Sequence, residues 1–325
     1  MHNLKRFISS VLLIALVGGV LLALWHKQDV YDWYRLRDYV PSAEIEALAE
    51  NTAMSDYGRK LFYVHDPRLE DRETFNRTCS HFEQTIVLGC YKSHQSIHVF
   101  DVQDERLEGI EEVTAAHEML HAAYDRLDDS GKKRIDRMVV SHYENVKKDL
   151  PRIRDTVLTY IESDDHGPEV VNNELHSIMG TEVRELSPEL EEYYGQYFED
   201  RTRVVEHAEG YAQVFVEQQN KIEDLRGQIQ QLETKLQGRR AEIESEGQSL
   251  QEEARRLTEL RANDQIEEYN ASVLPYNQRL DAYRVKADQF NADIRRLNDL
   301  IERFNELAVE QKELNNALDS STPNL

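Results

Sequence analysis

Basic residues are in short supply in this chain: 39 Lys and Arg stand against 62 Asp and Glu, giving a formal net charge of -23 over 325 residues. A surface that neutralises phosphates needs clustered Lys and Arg, so the balance speaks against a nucleic-acid partner. It speaks equally against electrostatic adhesion of the soluble part to anionic lipid. Cysteine is nearly absent. Cys79 and Cys90 are the only two, which leaves free thiols, one disulfide or half of a metal site open. Low-complexity segments are lacking, apart from a short SSTPNL tail read as disordered. Charged residues make up 31% of the chain and crowd into its last third, where apolar residues recur regularly among them. That pattern indicates long solvated helices.

One long apolar run is present. From Phe7 to Trp25 there are nineteen residues without a charge, a length that suits a helix crossing a hydrocarbon core of about 30 Å. Lys5 and Arg6 precede it, and Asp29 and Asp32 follow soon after Lys27, so the positive-inside bias puts the N-terminus in the cytoplasm. The run exceeds a usual signal-peptide core and ends on Leu-Ala-Leu-Trp, a poor cleavage site. It reads as an uncleaved anchor, and the chain as a single-pass membrane protein with its remainder outside the cytoplasm. There a Cys79–Cys90 bridge is favoured, closing a loop read as a β-hairpin.

After the anchor, Asp29 to Leu48 reads as a short linking helix. LFYVHD, TIVLGCY and SIHVFDV, within Gly58 to Val102, are β-branched and aromatic runs broken by turn residues and read as strands. From Glu111 the pattern is helical almost to the end. Strands first and helices afterwards predict an α+β domain with a small N-terminal sheet. SIHVFDV is either an edge strand able to pair with an extended peptide or an ordinary core strand. The division predicted is a cytoplasmic stub and anchor over 1–28, a catalytic domain over 29–203, and an α-helical coiled coil with a disordered tail over 204–325.

The last third repeats every seven residues. Ile266, Val273, Leu280, Ala287, Ile294, Ile301 and Ala308 form one row, and Tyr269, Tyr276, Tyr283, Phe290, Leu297 and Phe304 form another, three residues on. An earlier row runs from Phe215 through Ile222, Ile229, Leu236, Ile243 and Leu250 to Leu257, and the turn residues Asn263 and Asp264 separate the two seams. Two long helices folding back as an antiparallel hairpin are predicted, with Pro275 kinking the second. The hairpin is a candidate surface for a protein partner or for self-association.

The chemistry sits in VTAAHEMLHAAYDRL, from Val113 to Leu127. His117 and His121 are four apart, hence on one helix face, and two neutral imidazoles so spaced can take two corners of a zinc tetrahedron. Glu118 adjoins the first and can take a proton from a metal-bound water. The flanking Ala115, Ala116, Met119, Leu120, Ala122 and Ala123 are uncharged, as a buried metal helix requires.

This HExxH stretch resembles the zincin metallopeptidases, and specifically the gluzincin branch, over roughly Ser96 to Glu199. The resemblance implies Zn²⁺, a peptide or protein substrate, and a glutamate on a later helix as third ligand. Metzincins continue with HxxGxxH, whereas here AAYDRLDD follows His121. In VVNNELHSIMGTEVREL, Asn173-Glu174 is similar to the Asn-Glu pair of thermolysin-like enzymes, and Glu174-Leu175-His176-Ser177 to the Glu-Leu-Pro-Ser helix of oligopeptidase-type gluzincins. Glu174 is therefore the expected third ligand, with Glu182 in reserve. Thermolysin-like members have an Asp four residues after that glutamate; here Ile178 stands there, which leaves Asp125 or Glu182 to orient the imidazoles. The resemblance also implies a Tyr or His oxyanion donor, drawn from His176, Tyr193, Tyr194 and Tyr197, with Tyr194 preferred. His81, His94 and His98 read as structural or surface residues.

Overall fold

The computed structural model describes residues 26–79, 87–162 and 167–320. The chain falls into two compact units, 1–214 with 317–325, and 215–316.

The first unit opens with three short helices, α1 (Lys27–Leu36), α2 (Ala43–Asn51) and α3 (Asp56–Val64). Ser42 and Ser55 cap α2 and α3, each hydroxyl accepting an orphan N–H of the first turn, from Ile45 and Gly58. The predicted single linking helix is thus two helices, and LFYVHD is helix rather than strand. Gly58, Leu61, Phe62 and His65 are buried at i, i+3, i+4 and i+7, so a helical stripe overrides the β-propensity of the individual residues.

Three short strands follow, interleaved with a helix: β1 (Arg68–Glu70), α4 (Arg72–Cys79), β2 (Gly89–Lys92) and β3 (Ser96–Phe100). The sheet order is β1-β3-β2, with β3 parallel to β1 and antiparallel to β2. Among the described residues SIHVFDV therefore supplies the central strand, and β2 is an edge. Ile97 and Val99 join the main core, whereas Phe100, on the opposite face, packs with Phe75, Cys79 and Cys90. The two cysteines are bonded, but the bridge joins α4 to β2 and does not close a hairpin of strands. Ser96, His98 and Glu70 form a hydrogen-bonded line on the sheet, with His98 Nδ1 2.9 Å from Glu70 and Nε2 2.7 Å from Ser96.

The rest of this unit is helical: α5 (Ile110–Asp125), α6 (Asp129–Val146), α7 (Pro151–Glu162), α8 (Pro168–Glu182), α9 (Pro188–Tyr194) and the start of α10 (Arg201–Ala262). Gly109 begins α5 with φ 94°, and a Cβ there would lie 2.8 Å from the His207 ring, so glycine is required on both counts. Ala115, Ala116, Ala122 and Ala123 are buried along α5, and their small side chains let neighbouring elements approach closely. Val204, Val205 and Ala208 of α10 are part of the same core. An ion network around the buried Asp32 carboxylate ties α1 to the end of α5. Arg126 donates to both oxygens of Asp32 at 2.8 and 3.0 Å, and Lys60 Nζ lies 3.0 Å from the same carboxylate. Burial works to raise the Asp32 pKa, but Arg126 and Lys60 outweigh it and hold the carboxyl below its usual value.

The second unit consists of the rest of α10 and most of α11 (Ile266–Leu318), joined by a turn at Asn263–Gln265 in which Asp264 has φ 58°. The two helices pack as a hairpin: Leu232 and Leu236 cluster with Phe290, Leu297 and Leu300, and Asp293 pairs with Lys235 at 2.9 Å and Arg239 at 2.7 Å. Pro275 lies inside α11, which continues through it as one element. The buried seam departs from the predicted one towards the C-terminus. Ile294 and Ile301 are more than a third exposed, and Leu300 and Leu314 are buried instead. A helix of 3.6 residues per turn drifts about 20° per heptad against a seven-residue repeat, which moves the contact row around the helix.

Two expectations are corrected by this architecture. The α+β class gives way to a predominantly helical fold, because among the described residues the sheet contains only strands of three, four and five residues. The single-pass membrane placement is not upheld: among the described residues no helix is long and apolar enough to cross a membrane. The Phe7–Trp25 run on which the anchor was read lies outside the described residues.

His65 makes the fold acid-sensitive. It is 1% exposed, its Nδ1 donates to the Leu61 carbonyl at 2.8 Å, and burial pushes its pKa down to about 4. An unfolded histidine titrates near 6.5, so as pH falls the unfolded chain takes up the proton first. The stability contributed by neutral His65 is complete above pH ~6.5 and is lost between there and about pH 4, to the extent of about 3 kcal/mol. Urea unfolding of metal-free protein at pH 7 and pH 4.5 should show this loss, and a His65→Gln variant should show a shallower pH dependence.

Candidate metal centre

α5 and α8 bring the centre together. On α5, His117 and His121 sit one turn apart with ring centroids 4.7 Å from each other and planes at 76°. On α8, Glu174 is 8% exposed and reaches between them. Its Oε2 lies 3.3 Å from His117 Nε2, and its Oε1 lies 3.3 Å from His121 Nε2. One ligand atom from each residue falls within a 4.8 Å span, so the three together could hold a metal ion. Burial works to raise the Glu174 pKa, but His121 and His117 oppose it and Tyr160 adds a hydrogen bond. The carboxyl is held down at about 2 and remains an anionic donor.

The ring orientations have a different support from the one expected. Ser177 Oγ is 3.3 Å from His121 Nδ1, three residues beyond Glu174 and so on the same face of α8. Asp125 accepts from Ser93 at 2.6 Å, and Glu182 accepts from Arg152 Nη1 at 2.5 Å. Both carboxylates are thus engaged away from the imidazoles of the centre. Glu182 does line the same cleft, but Glu174 is the residue that completes the cluster. Ile178 is 1% exposed and belongs to the core.

The centre opens into a cleft of about 470 Å³. Val87, Leu88, Ile110 and Val113 give it an apolar wall, and Tyr91, Tyr160 and Tyr211 add phenols. Glu118 also lines it, 6% exposed. Tyr194, expected as the oxyanion donor, is fully buried, and its hydroxyl donates to the His176 carbonyl at 2.7 Å. Tyr193 bonds His176 Nε2 at 2.9 Å, and Tyr197 donates to Tyr193 at 3.3 Å. These groups brace α8 against α9 and are absent from the cleft lining. Burial pushes the His176 pKa down to about 3, so it is a neutral core imidazole. Of the three cleft phenols, Tyr160 is the one bonded to Glu174. No motif marks it. It stands on α7, fourteen residues ahead of Glu174, and only tertiary packing brings it in. His98 is held on the sheet as described, His94 lies in the β2–β3 turn, and His81 lies outside the described residues.

No family model matches the chain, and neither a curated protein nor a solved structure matches it.

The geometry separates ligands from their supports. His117→Ala and His121→Ala should each abolish binding of a divalent metal ion by the cluster, and Ser177→Ala should weaken it roughly 10- to 100-fold by freeing the His121 ring. Glu182→Gln should leave affinity unchanged. Competition against a chromophoric chelator measures all four, and an unaltered affinity in Ser177→Ala would remove that residue from the support.

Proposed function

We propose that the chain is a zinc-dependent peptidase of gluzincin type, with His117, His121 and Glu174 as ligands and Glu118 as general base. The observation that carries this reading is the convergence of two imidazoles and one carboxylate on a point at the floor of a cleft that Glu118 also lines. Two neutral nitrogen donors and one anionic oxygen fit zinc and leave a coordination position free. A zinc ion held there lowers the pKa of water and polarises a carbonyl.

The protein's own groups perform the remaining work. Glu118, nearly buried beside the ligands, takes the proton of the attacking water on its carboxylate and delivers it to the leaving amine. The Tyr160 phenol can hydrogen-bond the oxyanion formed from the scissile carbonyl by giving up its bond to Glu174, whose charge a bound metal then satisfies. Among the described residues β2 is a sheet edge whose Gly89, Cys90 and Tyr91 line the cleft, which suits the addition of an extended peptide as a further strand. The apolar wall formed by Val87, Leu88, Ile110 and Val113 suits an aliphatic side chain beside the cleaved bond.

Hydrolysis of a peptide library by purified protein, abolished by chelator and restored by zinc, tests the reading. Glu118→Gln should keep its zinc and lose turnover by roughly 10²- to 10⁴-fold; unchanged turnover in that variant would refute the mechanism. Tyr160→Phe should lower kcat by about 10²-fold with KM nearly unchanged. Tyr194→Phe should instead cost about 1 kcal/mol of stability and leave kcat alone.

A further inference from the structure

Gly89 opens β2 and pairs across the sheet with Val99. Its φ lies outside the left-handed region, so the backbone there does not call for glycine. Space does. A Cβ at residue 89 would lie 2.7 Å from Glu118 Oε1, 2.8 Å from Glu118 Cγ and 2.5 Å from Thr114 Cγ2. The Glu118 side chain therefore occupies the volume that any other residue at 89 would claim, and the strand backbone forms the wall against which the carboxylate rests.

The next residue along is Cys90, bonded to Cys79 of α4 and packed with Phe75 and Phe100. Among the described residues β2 has a ladder partner on one side only, and this covalent bond fixes it to α4 in addition to the packing of Tyr91 on the main core. Its neighbours ahead, Val87 and Leu88, line the cleft, and the Val87 carbonyl accepts a hydrogen bond from Ser320 Oγ at 2.8 Å. The metal ligands, by contrast, stand on α5 and α8, outside the span that the tether joins.

We propose that Gly89 is a positioning residue for the Glu118 carboxylate, and that the Cys79–Cys90 bond holds Gly89 against it, so that reduction disables the base while sparing the ligands. The inference rests on the peptidase reading for the role of Glu118. The redox step is ordinary thiol–disulfide exchange: a dithiol supplies two electrons and two protons, the Cys79–Cys90 bond breaks to two thiols, and the reductant closes to its cyclic disulfide.

The test uses zinc-loaded full-length protein and a probe that needs no turnover. Acetohydroxamate chelates zinc through two oxygens and shares its proton with an adjacent carboxylate, so its affinity reports where Glu118 stands. Gly89→Ala should retain one zinc per chain, bind acetohydroxamate at least tenfold more weakly, and lose kcat by about 10²-fold with little change in KM. In a Glu118→Gln background the same substitution should change hydroxamate affinity by less than about twofold, because coupled residues are not additive. Adding Thr114→Ala to Gly89→Ala relieves the threonine contact and should not restore affinity. Wild-type hydroxamate binding in Gly89→Ala, an equal loss in the Glu118→Gln background, or rescue by Thr114→Ala would each overturn the positioning role. A Cys79→Ser, Cys90→Ser double variant should keep zinc and bind the probe more weakly, and unchanged binding would overturn the tether. Should no peptide be cleaved by any form while the Gly89–Glu118 coupling is found, the peptidase reading fails and the positioning role stands.

Discussion

Glu174 is a carboxylate taken out of water and set between two imidazoles, and the packing of α5 against α8 keeps it there. An isolated buried carboxylate would protonate to escape its desolvation. Here the two rings, as imidazolium cations, and Tyr160 hold its pKa well below the usual carboxylate range; a metal ion that displaces the ring protons meets one negative charge and two lone-pair donors. A divalent cation offsets that charge and gives both nitrogens a partner at once. The alanines of α5 and the aromatic brace of His176, Tyr193 and Tyr194 behind α8 serve the same end, because both fix how near the two helices lie.

The support of the centre comes from a neutral group. Ile178, four residues after Glu174, turns into the core, and Ser177, one residue earlier, reaches His121. A neutral hydroxyl orients the ring without adding a second negative charge to a pocket that already contains Glu174, with Glu118 beside it.

How much of this was legible in the sequence depends on the range of the forces involved. His117, Glu118 and His121 are fixed by the helical repeat alone, and an uninterrupted apolar setting was enough to read them. Glu174 needed a resemblance, since nothing in its local sequence distinguishes it from Glu182. Tyr160 was invisible, because its contact with Glu174 depends on how α7 meets α8 and no spacing encodes that. LFYVHD went wrong for the opposite reason. Its residues favour strand one by one, yet Gly58, Leu61, Phe62 and His65 make a buried stripe only as a helix. Tyr194 was chosen for its chemistry, but its burial places the hydroxyl at the service of a backbone carbonyl. In the hairpin the heptad was read correctly over Phe290 and Leu297, whereas the companion row slid to Leu300 and Leu314 because sequence periodicity does not carry the helical phase.

The Asp32–Arg126 pair bears on where the folded unit can be cut. Arg126 follows the last residue of α5, a few residues beyond His121, and its guanidinium is sealed beneath α1 with both oxygens of Asp32 as acceptors. A fragment trimmed to begin at α2 would keep His117, His121 and Glu174 but would lose both acceptors of that guanidinium together with the helix that covers it, opening the end of α5 to water. A short helix with no part in the chemistry thus sets the smallest piece of this chain in which the chemistry could be studied.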